Sequence, residues 1–332
     1  MATLTSITDA THAAEARRQA AAYGEEARLG ERQGALAIAV TEIATNVLKH
    51  AGIGVIMLES VGSNGNRGVR VLGLDKGPGI PDVTTALQDG YSTAGTAGNG
   101  LGAVRRLAQE FDIYTAPELG TAILAEFWPT MPDSRTHTLP LDVGVLSLPI
   151  KGEKICGDGW GVTQSEDGMR FMVVDGSGHG EFAAEAAREA EKLFAASGND
   201  SLSKLLQDCH DSLRKTRGAA MAVASLQLKR NILSFAGIGN IGASIATPTS
   251  SRGLVSHHGI VGHQVSRIQE FTFPWSSDGT LIMHSDGLKT AWNLGRYPGI
   301  WNKHPALIAG VLYRDFTRER DDVTILVAKK QS

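Results

Sequence analysis

The chain has 332 residues, with 32 Lys+Arg against 35 Asp+Glu and a formal net charge of -3 at pH 7, a balance that excludes an electrostatically driven nucleic-acid binder. No apolar run approaches the ~18 residues of a membrane span, and the opening MATLTSITDATHAAEARR has no apolar signal core, so a soluble cytoplasmic protein without a membrane partner is expected. Length predicts about two domains, and the 39 glycines, about 12% against a usual ~7%, either fill turns or let backbone approach ligands closely.

Residues 12–29, rich in Ala, Glu and Arg, predict a first helix. In the second, over 35–51, Leu36, Val40, Ile43 and Val47 make one apolar stripe and Gly52 supplies the stop. Strand-like runs Val55–Glu59 and Gly68–Asp75 follow, joined by a turn-rich stretch from Gly62 to Asn66. A glycine-dense loop then spans 77–102 and leads into a short helix through Arg105, Arg106 and Leu107. The run Thr121–Trp128 closes this half as a strand. Pro129, Pro132 and Pro140 bracket a polar stretch read as a linker over 131–140.

The second half is strand-rich: Val143–Leu148, Met169–Val174, Ala219–Leu228, Ile232–Ala236, Thr280–His284 and Val323–Ala328. Between them the helices Ala183–Ala196 and Leu202–Arg217 follow one another, as expected for a helix pair laid on a sheet. Cys156 and Cys209 form no CxxC and predict two unpaired thiols.

Glu42, Asn46 and His50 recur every fourth residue on the second helix and share the face opposite the apolar stripe. An amide oxygen can ligate Mg²⁺ and a carboxylate one turn away can orient or deprotonate a nucleophile. A strand ending in Asp75 then enters the glycine turn Gly77-Pro78-Gly79. A carboxylate at such an edge can accept from an exocyclic amine, while the glycines let backbone pass close to a base. Finally Gly98-Asn99-Gly100-Leu101-Gly102 runs into a helix, where N–H groups and the positive dipole end suit phosphates.

The three signals in this order resemble the GHKL ATP-binding fold of histidine kinases, gyrase and Hsp-type chaperones. More narrowly, Asp89-Gly90-Tyr91-Ser92-Thr93, then Gly102-Ala103-Val104-Arg105-Arg106-Leu107 and Glu110-Phe111, resemble the RsbT-like anti-sigma-factor serine kinases. The resemblance implies a GHKL (Bergerat) α/β sandwich over 1–130 that binds ATP with Mg²⁺. It makes Glu42 the general base, Asn46 the Mg²⁺ ligand, Asp75 the adenine reader with Gly77 and Gly79 beside it, and Gly98, Gly100, Leu101 and Gly102 the phosphate lid.

In the second half Asp158, Asp175, Asp286 and Asp321 are each read as following or ending an apolar run, three of them as Asp-Gly. Any one such Asp-Gly is ordinarily a turn. Four carboxylates at sheet ends without a Cys/His cluster suit hard cations, and two Mg²⁺ or Mn²⁺ ions can hold a nucleophilic water against phosphorus. There is no GxSxG elbow. His179, in Asp175-Gly176-Ser177-Gly178-His179-Gly180, is either a general acid beside the metals or a loop histidine bonded to backbone. Gly237-Ile238-Gly239-Asn240-Ile241-Gly242 matches GxGxxG, but without a following helix it is read as a hairpin turn.

The phrases Gly157-Asp158-Gly159-Trp160, Val174 to Gly180, Ala236 to Asn240, Met283-His284-Ser285-Asp286-Gly287-Leu288 and Arg320-Asp321-Asp322-Val323-Thr324 resemble the SpoIIE/RsbX branch of the metal-dependent (PPM) protein phosphatases. That resemblance implies an αββα sandwich over 141–332, and so an α/β (α+β) protein overall. Asp175 would bridge two Mn²⁺ or Mg²⁺ ions, with Asp158 and the Gly176 carbonyl on one and Asp286 and Asp321 on the other; Asp321 is preferred to its neighbour Asp322. The two resemblances together imply a regulator acting on a STAS-domain anti-sigma antagonist, or a stressosome-like protein, with a sigma factor as a further candidate partner and pairing into a homodimer common among such kinases. The first half either phosphorylates that partner class or serves as a non-catalytic, ATP-gated binding module.

Overall fold

Apolar stripes on helices and apolar runs on strands have to bury against one another, and this chain satisfies that demand twice. The computed structural model describes residues 2–63, 66–88, 100–130, 139–165 and 168–330. It divides into a first unit, Met1–Thr138 with Arg296–Arg314, and a second, Leu139–Gly295 with Asp315–Ser332. The expected second domain, 141–332, therefore differs by one segment, since Arg296–Arg314 clusters with the first unit. Gly98, Asn99, the phrase Asp89 to Thr93 and the linker residues 131–138 lie outside the described residues.

In the first unit β1 (Ala2–Ile7), β2 (Gly54–Ser63), β3 (Asn66–Asp75), β4 (Glu110–Thr115) and β5 (Thr121–Phe127) form one antiparallel sheet in the order β1-β2-β3-β5-β4. Three helices cover one face: α1 (Ala10–Glu26), α2 (Gln33–Asn46) and, after the single turn α3 (Val83–Ala86), α4 (Gly100–Leu107). Asp9 caps α1, its Oδ1 accepting from the Thr11 and His12 amides. The stripe Leu36, Val40, Ile43 and Val47 is buried against Ile56, Leu58, Val69 and Val71 of the sheet. Beyond Asn46 the helix widens into a π turn, Val47–Ala51, and Gly52 ends it at φ 76°. The strands β1 and β4 were not among the expected elements.

In the second unit β6 (Asp142–Leu148), β7 (Asp158–Ser165), β8 (Gly168–Gly176), β9 (Ala219–Gln227), β10 (Ile232–Ile238), β11 (Gly242–Ala246) and β12 (Ser251–Gly253) precede a two-stranded ribbon, β13 (Gly259–Ile260) with β14 (Gln264–Val265). Three more strands follow, β15 (Phe271–Pro274), β16 (Thr280–His284) and β17 (Val323–Lys329). They make two five-stranded antiparallel sheets, β15-β10-β9-β8-β7 and β12-β11-β16-β17-β6. Alternation assigns the faces. Phe171 and Val173 of β8 join Leu281, Met283 and Leu326 of the other sheet in one core. Met172 and Val174 point the other way, onto Ala186, Ala190, Phe194, Leu205 and Cys209 of α5 (Glu181–Ala196) and α6 (Leu202–Ser212). Cys156 and Cys209 are unpaired, as expected, and burial pushes each thiol up to about 12.

One sequence expectation is corrected. The stretch Gly237 to Gly242 is not a hairpin: β10 pairs with β9 and β15, while β11 pairs with β12 and β16. The chain crosses there from one sheet to the other. The last helix, α7 (Pro305–Phe316), is buried along almost its whole length, which leaves it no amphipathic signature. Gly310 on it lies against Leu74 of β3, on the sheet face opposite α2, and a Cβ there would stand 3.1 Å from Leu74 Cδ2. Among the described residues no helix is long and apolar enough to cross a membrane.

Strand β7 escaped the sequence reading because glycines replace its inward side chains. A Cβ at Gly161 would stand 2.5 Å from Phe194 Cδ1, and one at Gly159 would stand 2.7 Å from Glu191 Oε1. These two glycines therefore let α5 sit directly on the strand. Overpacking such a contact costs about 1–3 kcal/mol. Gly161→Val is expected to lower the denaturant midpoint of the second unit correspondingly, measured by urea unfolding; an unchanged midpoint would show that this contact does not set the strand's position.

Candidate active site

Glu42 and Asn46, four residues apart on α2, leave the helix on the same face. The start of α4 is brought against them: a Cβ at Gly100 would stand 2.9 Å from Glu42 Oε2 and 3.7 Å from Asn46 Oδ1. Only a residue without a side chain lets backbone approach that carboxylate and amide. Leu101 and Gly102 are buried beneath this turn. His50 falls in the π turn, near Asp75.

Asp75 ends β3 opposite Gly54 on one side and Thr121 on the other. Its Oδ1 accepts from the Gly77 amide at 2.8 Å and the Thr121 amide at 3.2 Å. Burial raises its carboxyl above the usual range, and the two amides oppose that rise. Among the described residues no donor meets Oδ2, which leaves one oxygen to accept from a ligand. Gly79, at φ 80°, turns the chain past the Ala116 carbonyl. Arg314 of the same unit donates through Nη1 to the Asp75 backbone carbonyl at 2.9 Å.

In the second unit Asp158 and Asp175 stand directly opposite each other on β7 and β8. Asp286 follows β16 and Asp321 precedes β17, two strands that pair with His284 opposite Ile325. These carboxylates crowd. Burial first, and then the charge of Asp175, push Asp158 well above its ordinary range; the Ser285 hydroxyl, donating to its Oδ2 at 2.6 Å, opposes the rise. Asp175 is raised to about 7 by burial and by the charges of Asp286, Asp321 and Asp322. Asp286 is raised by burial and by Asp321, while its Oδ2 accepts from Asn240 Nδ2 at 2.8 Å. Gly176 is held beside them, its amide donating to the Gly157 carbonyl.

Asp322 does something different from its neighbour. It is 2% exposed, and both oxygens are taken by backbone, Oδ1 by the Ile150 amide at 2.6 Å and Oδ2 by the Gly157 amide at 2.7 Å. His179 is exposed, with Nδ1 2.9 Å from Glu153 Oε1. Sequence reasoning did not single out Glu153, Asn240, Ser285 or Asp322 as partners. Three of them sat inside the quoted phrases, and only Glu153 carried no signal.

Among the described residues no three acidic, histidine or cysteine side chains close a coordination shell by themselves. The donor set at these sheet ends is nonetheless all oxygen, and Mg²⁺ in particular binds through one or two carboxylates and keeps several waters. Crowded carboxylates with raised affinity for protons fit such a cation.

An antiparallel double sheet carrying this acidic cluster, together with a helix-covered sheet carrying Glu42, Asn46 and Asp75, defines a PPM-type serine/threonine phosphatase domain fused to a kinase-like ATPase domain. Residues 165–331 match the Stage II sporulation protein E (SpoIIE) family and residues 7–127 the histidine kinase-like ATPase domain. The chain belongs to the SpoIIE family. Its first part is 40% identical over 96 residues to the serine/threonine-protein kinase RsbT of Bacillus subtilis (strain 168), covering 29% of this chain and 72% of RsbT. Over 145 residues it is 20% identical to the phosphoserine phosphatase RsbX of the same organism, covering 43% of this chain and 73% of RsbX. Among solved structures, one described as the bacterial stressosome, a modular system adapted to control secondary messenger signalling, is 28% identical with a TM-score of 0.54, covering 57% of this chain and 99% of its own. RsbX in complex with magnesium shares the fold at 19% identity and a TM-score of 0.50, covering 57% and 96%.

The crowding has a consequence for stability. A carboxyl raised in the folded chain binds its proton more tightly there than when unfolded, so its contribution is most favourable below the unfolded value near 4 and is lost as pH rises through about 7. In chelator, Asp175→Asn is expected to melt above the parent at about pH 8, the difference vanishing near pH 4. A difference independent of pH, read by thermal melting, would remove repulsion as its cause.

Proposed function

We propose that the second unit hydrolyses phosphoserine or phosphothreonine on a STAS-domain anti-sigma antagonist or a stressosome-like protein, and that the first unit transfers phosphate from ATP to the same partner class. The observation that carries the first half is the convergence of Asp158, Asp175, Asp286 and Asp321 at adjoining strand ends of the two sheets. The likeness of separate parts of one chain to RsbT and to RsbX supports the shared partner.

Asp175 would bridge two Mn²⁺ or Mg²⁺ ions, Asp158 and the Gly176 carbonyl would hold one, and Asp286 and Asp321 the other. Ions bound there lower the pKa of a bound water and offset phosphate charge. Ser285 orients Asp158 by donating to one of its oxygens, and Asn240 does the same for Asp286. His179, with Nδ1 engaged by Glu153, presents Nε2 as the atom that holds a proton for the departing seryl oxygen. Asp175→Ala and Asp286→Ala are each expected to lower Mn²⁺-dependent release of phosphate from a phosphorylated STAS protein about 100-fold or more. Retained activity in either variant would discard the ligand assignment.

In the first unit Glu42 would take the proton of the accepting hydroxyl, Asn46 would ligate Mg²⁺, and Asp75 would accept from the adenine amine. Gly77 and Gly79 would shape the base end of the site, and Gly100, Leu101 and Gly102, with Gly98 outside the described residues, would serve the phosphate end. The approach of Gly100 to both Glu42 and Asn46 supports a phosphate placed within reach of the base. Labelled ATP, a STAS protein and the Asp175→Ala chain together are expected to give a labelled partner, and adding Glu42→Ala to abolish labelling while ATP binding persists. ATP binding with no labelled partner even when hydrolysis is blocked would instead assign this unit as an ATP-gated binding module.

A further inference from the structure

Beside the loop that follows Asp175 and Gly176, the second unit holds a guanidinium, that of Arg217, in no ion pair with a carboxylate among the described residues. Arg217 lies just before β9 and is exposed, and among the described residues neither an Asp nor a Glu pairs with it. Its position is nevertheless fixed. The carbonyl of Gly218, the next residue, accepts from the Ser177 amide at 2.9 Å, which ties this turn to the loop that follows Asp175 and Gly176. The side chain runs along that loop. Nη1 stands 3.1 Å from where a Cβ on Gly178 would be, and Gly178 has φ 97°. The guanidinium carbon then lies 4.8 Å over the ring of Phe182, a residue in the first turn of α5 that is 61% exposed.

The loop bearing Gly178 also passes Gly157, the residue before Asp158. The Gly178 carbonyl is 3.5 Å, and Asp322 Oδ2 2.7 Å, from the position of a Cβ on Gly157. An exposed cation without an ion pair ordinarily keeps its rotamer freedom. Here the stack on Phe182 and the tether to the loop hold it in place, with the edge of its planar fork facing water. A phosphoryl dianion entering a site lined by carboxylates meets repulsion that such a fork, with parallel N–H donors matched to two phosphate oxygens, is suited to offset.

We propose that Arg217 is the residue that receives the substrate phosphate: held flat on Phe182, it donates to non-bridging oxygens of the phosphoseryl group. This rests on the phosphatase reading of the unit but not on which carboxylate holds which ion.

The test uses the full chain with Arg217→Ala, Arg217→Lys and Phe182→Leu. Three quantities are read: KM and kcat for a phosphoserine peptide, binding of inorganic phosphate by calorimetry with Mn²⁺ present, and the Mn²⁺ concentration for half-maximal activity. Arg217→Ala is expected to raise KM and weaken phosphate binding about 10-fold or more, with kcat changed far less. Arg217→Lys is expected to recover part of this loss, and Phe182→Leu to fall between. The Mn²⁺ requirement and melting temperature stay at the parent's values. Unchanged phosphate binding and KM in Arg217→Ala overturn the proposal. So does a raised Mn²⁺ requirement with the loss falling on kcat, which would make the residue a support for the loop. Calorimetry needs no turnover, so weakened phosphate binding in a chain whose parent cleaves no phosphopeptide would overturn the activity and leave the phosphate contact standing.

Discussion

Mutual repulsion of carboxylates is the constraint on which the second unit depends. Asp158, Asp175, Asp286 and Asp321 come from four different strand ends, and each pair costs more as the surroundings exclude water. Two residues that are not proposed ligands hold them there. Asp322 takes the amides of Ile150 and Gly157, fastening the start of β17 to the loop that leads into β7. Ser285 donates to Asp158 while its oxygen accepts from the Thr324 amide at 2.9 Å, fastening the end of β16 to both β7 and β17. The acidic side chains can point inward because backbone amides and one hydroxyl carry the cost of holding them.

That division of labour explains why adjacent aspartates are not equivalent. A carboxylate whose two oxygens each accept a backbone N–H has no lone pair directed at a cation without breaking those bonds. Asp322 is in that position, whereas Asp321 accepts a single backbone N–H among the described residues, that of Asp322, and lies near enough to Asp175 and Asp286 to raise both. Spacing in the motif Arg320-Asp321-Asp322 does not separate the two aspartates physically; their hydrogen bonds do.

Much of the fold was legible because it is written in period. The stripe on α2, the pair α5 and α6, and most central strands bury the faces their alternation announces. What escaped had lost its period for a reason of packing. Gly159 and Gly161 remove side chains where α5 lies on β7; α7 is apolar all round because it is buried all round. Gly237 to Gly242 looked like a hairpin because both flanking runs are strands, but local sequence does not say which sheet each strand joins. The helix widens into a π turn after Asn46, so the four-residue spacing that aligns Glu42 with Asn46 does not carry over to His50. The glycine excess likewise splits in two: Gly100 and Gly79 let backbone approach closely at the proposed nucleotide site, while Gly159 and Gly161 serve helix packing.

The segment Arg296–Arg314 shows why motif order cannot by itself draw the domain boundary. It is bracketed in sequence by Asp286 and Asp321, yet it clusters with the first unit. There Lys303 Nζ meets Asp112 Oδ1 at 3.0 Å, the His304 amide meets Asp112 Oδ2 at 2.8 Å, and Arg314 holds the carbonyl of Asp75. A cut placed at the linker would take all three bonds from the first unit. It would also uncover Leu74 where Gly310 now packs. The strand end that carries the proposed adenine reader is thus finished by chain that runs between two proposed metal ligands. The two units share one continuous polypeptide, and the first cannot be trimmed to its own motifs without exposing apolar surface and taking the Arg314 donor from the Asp75 carbonyl.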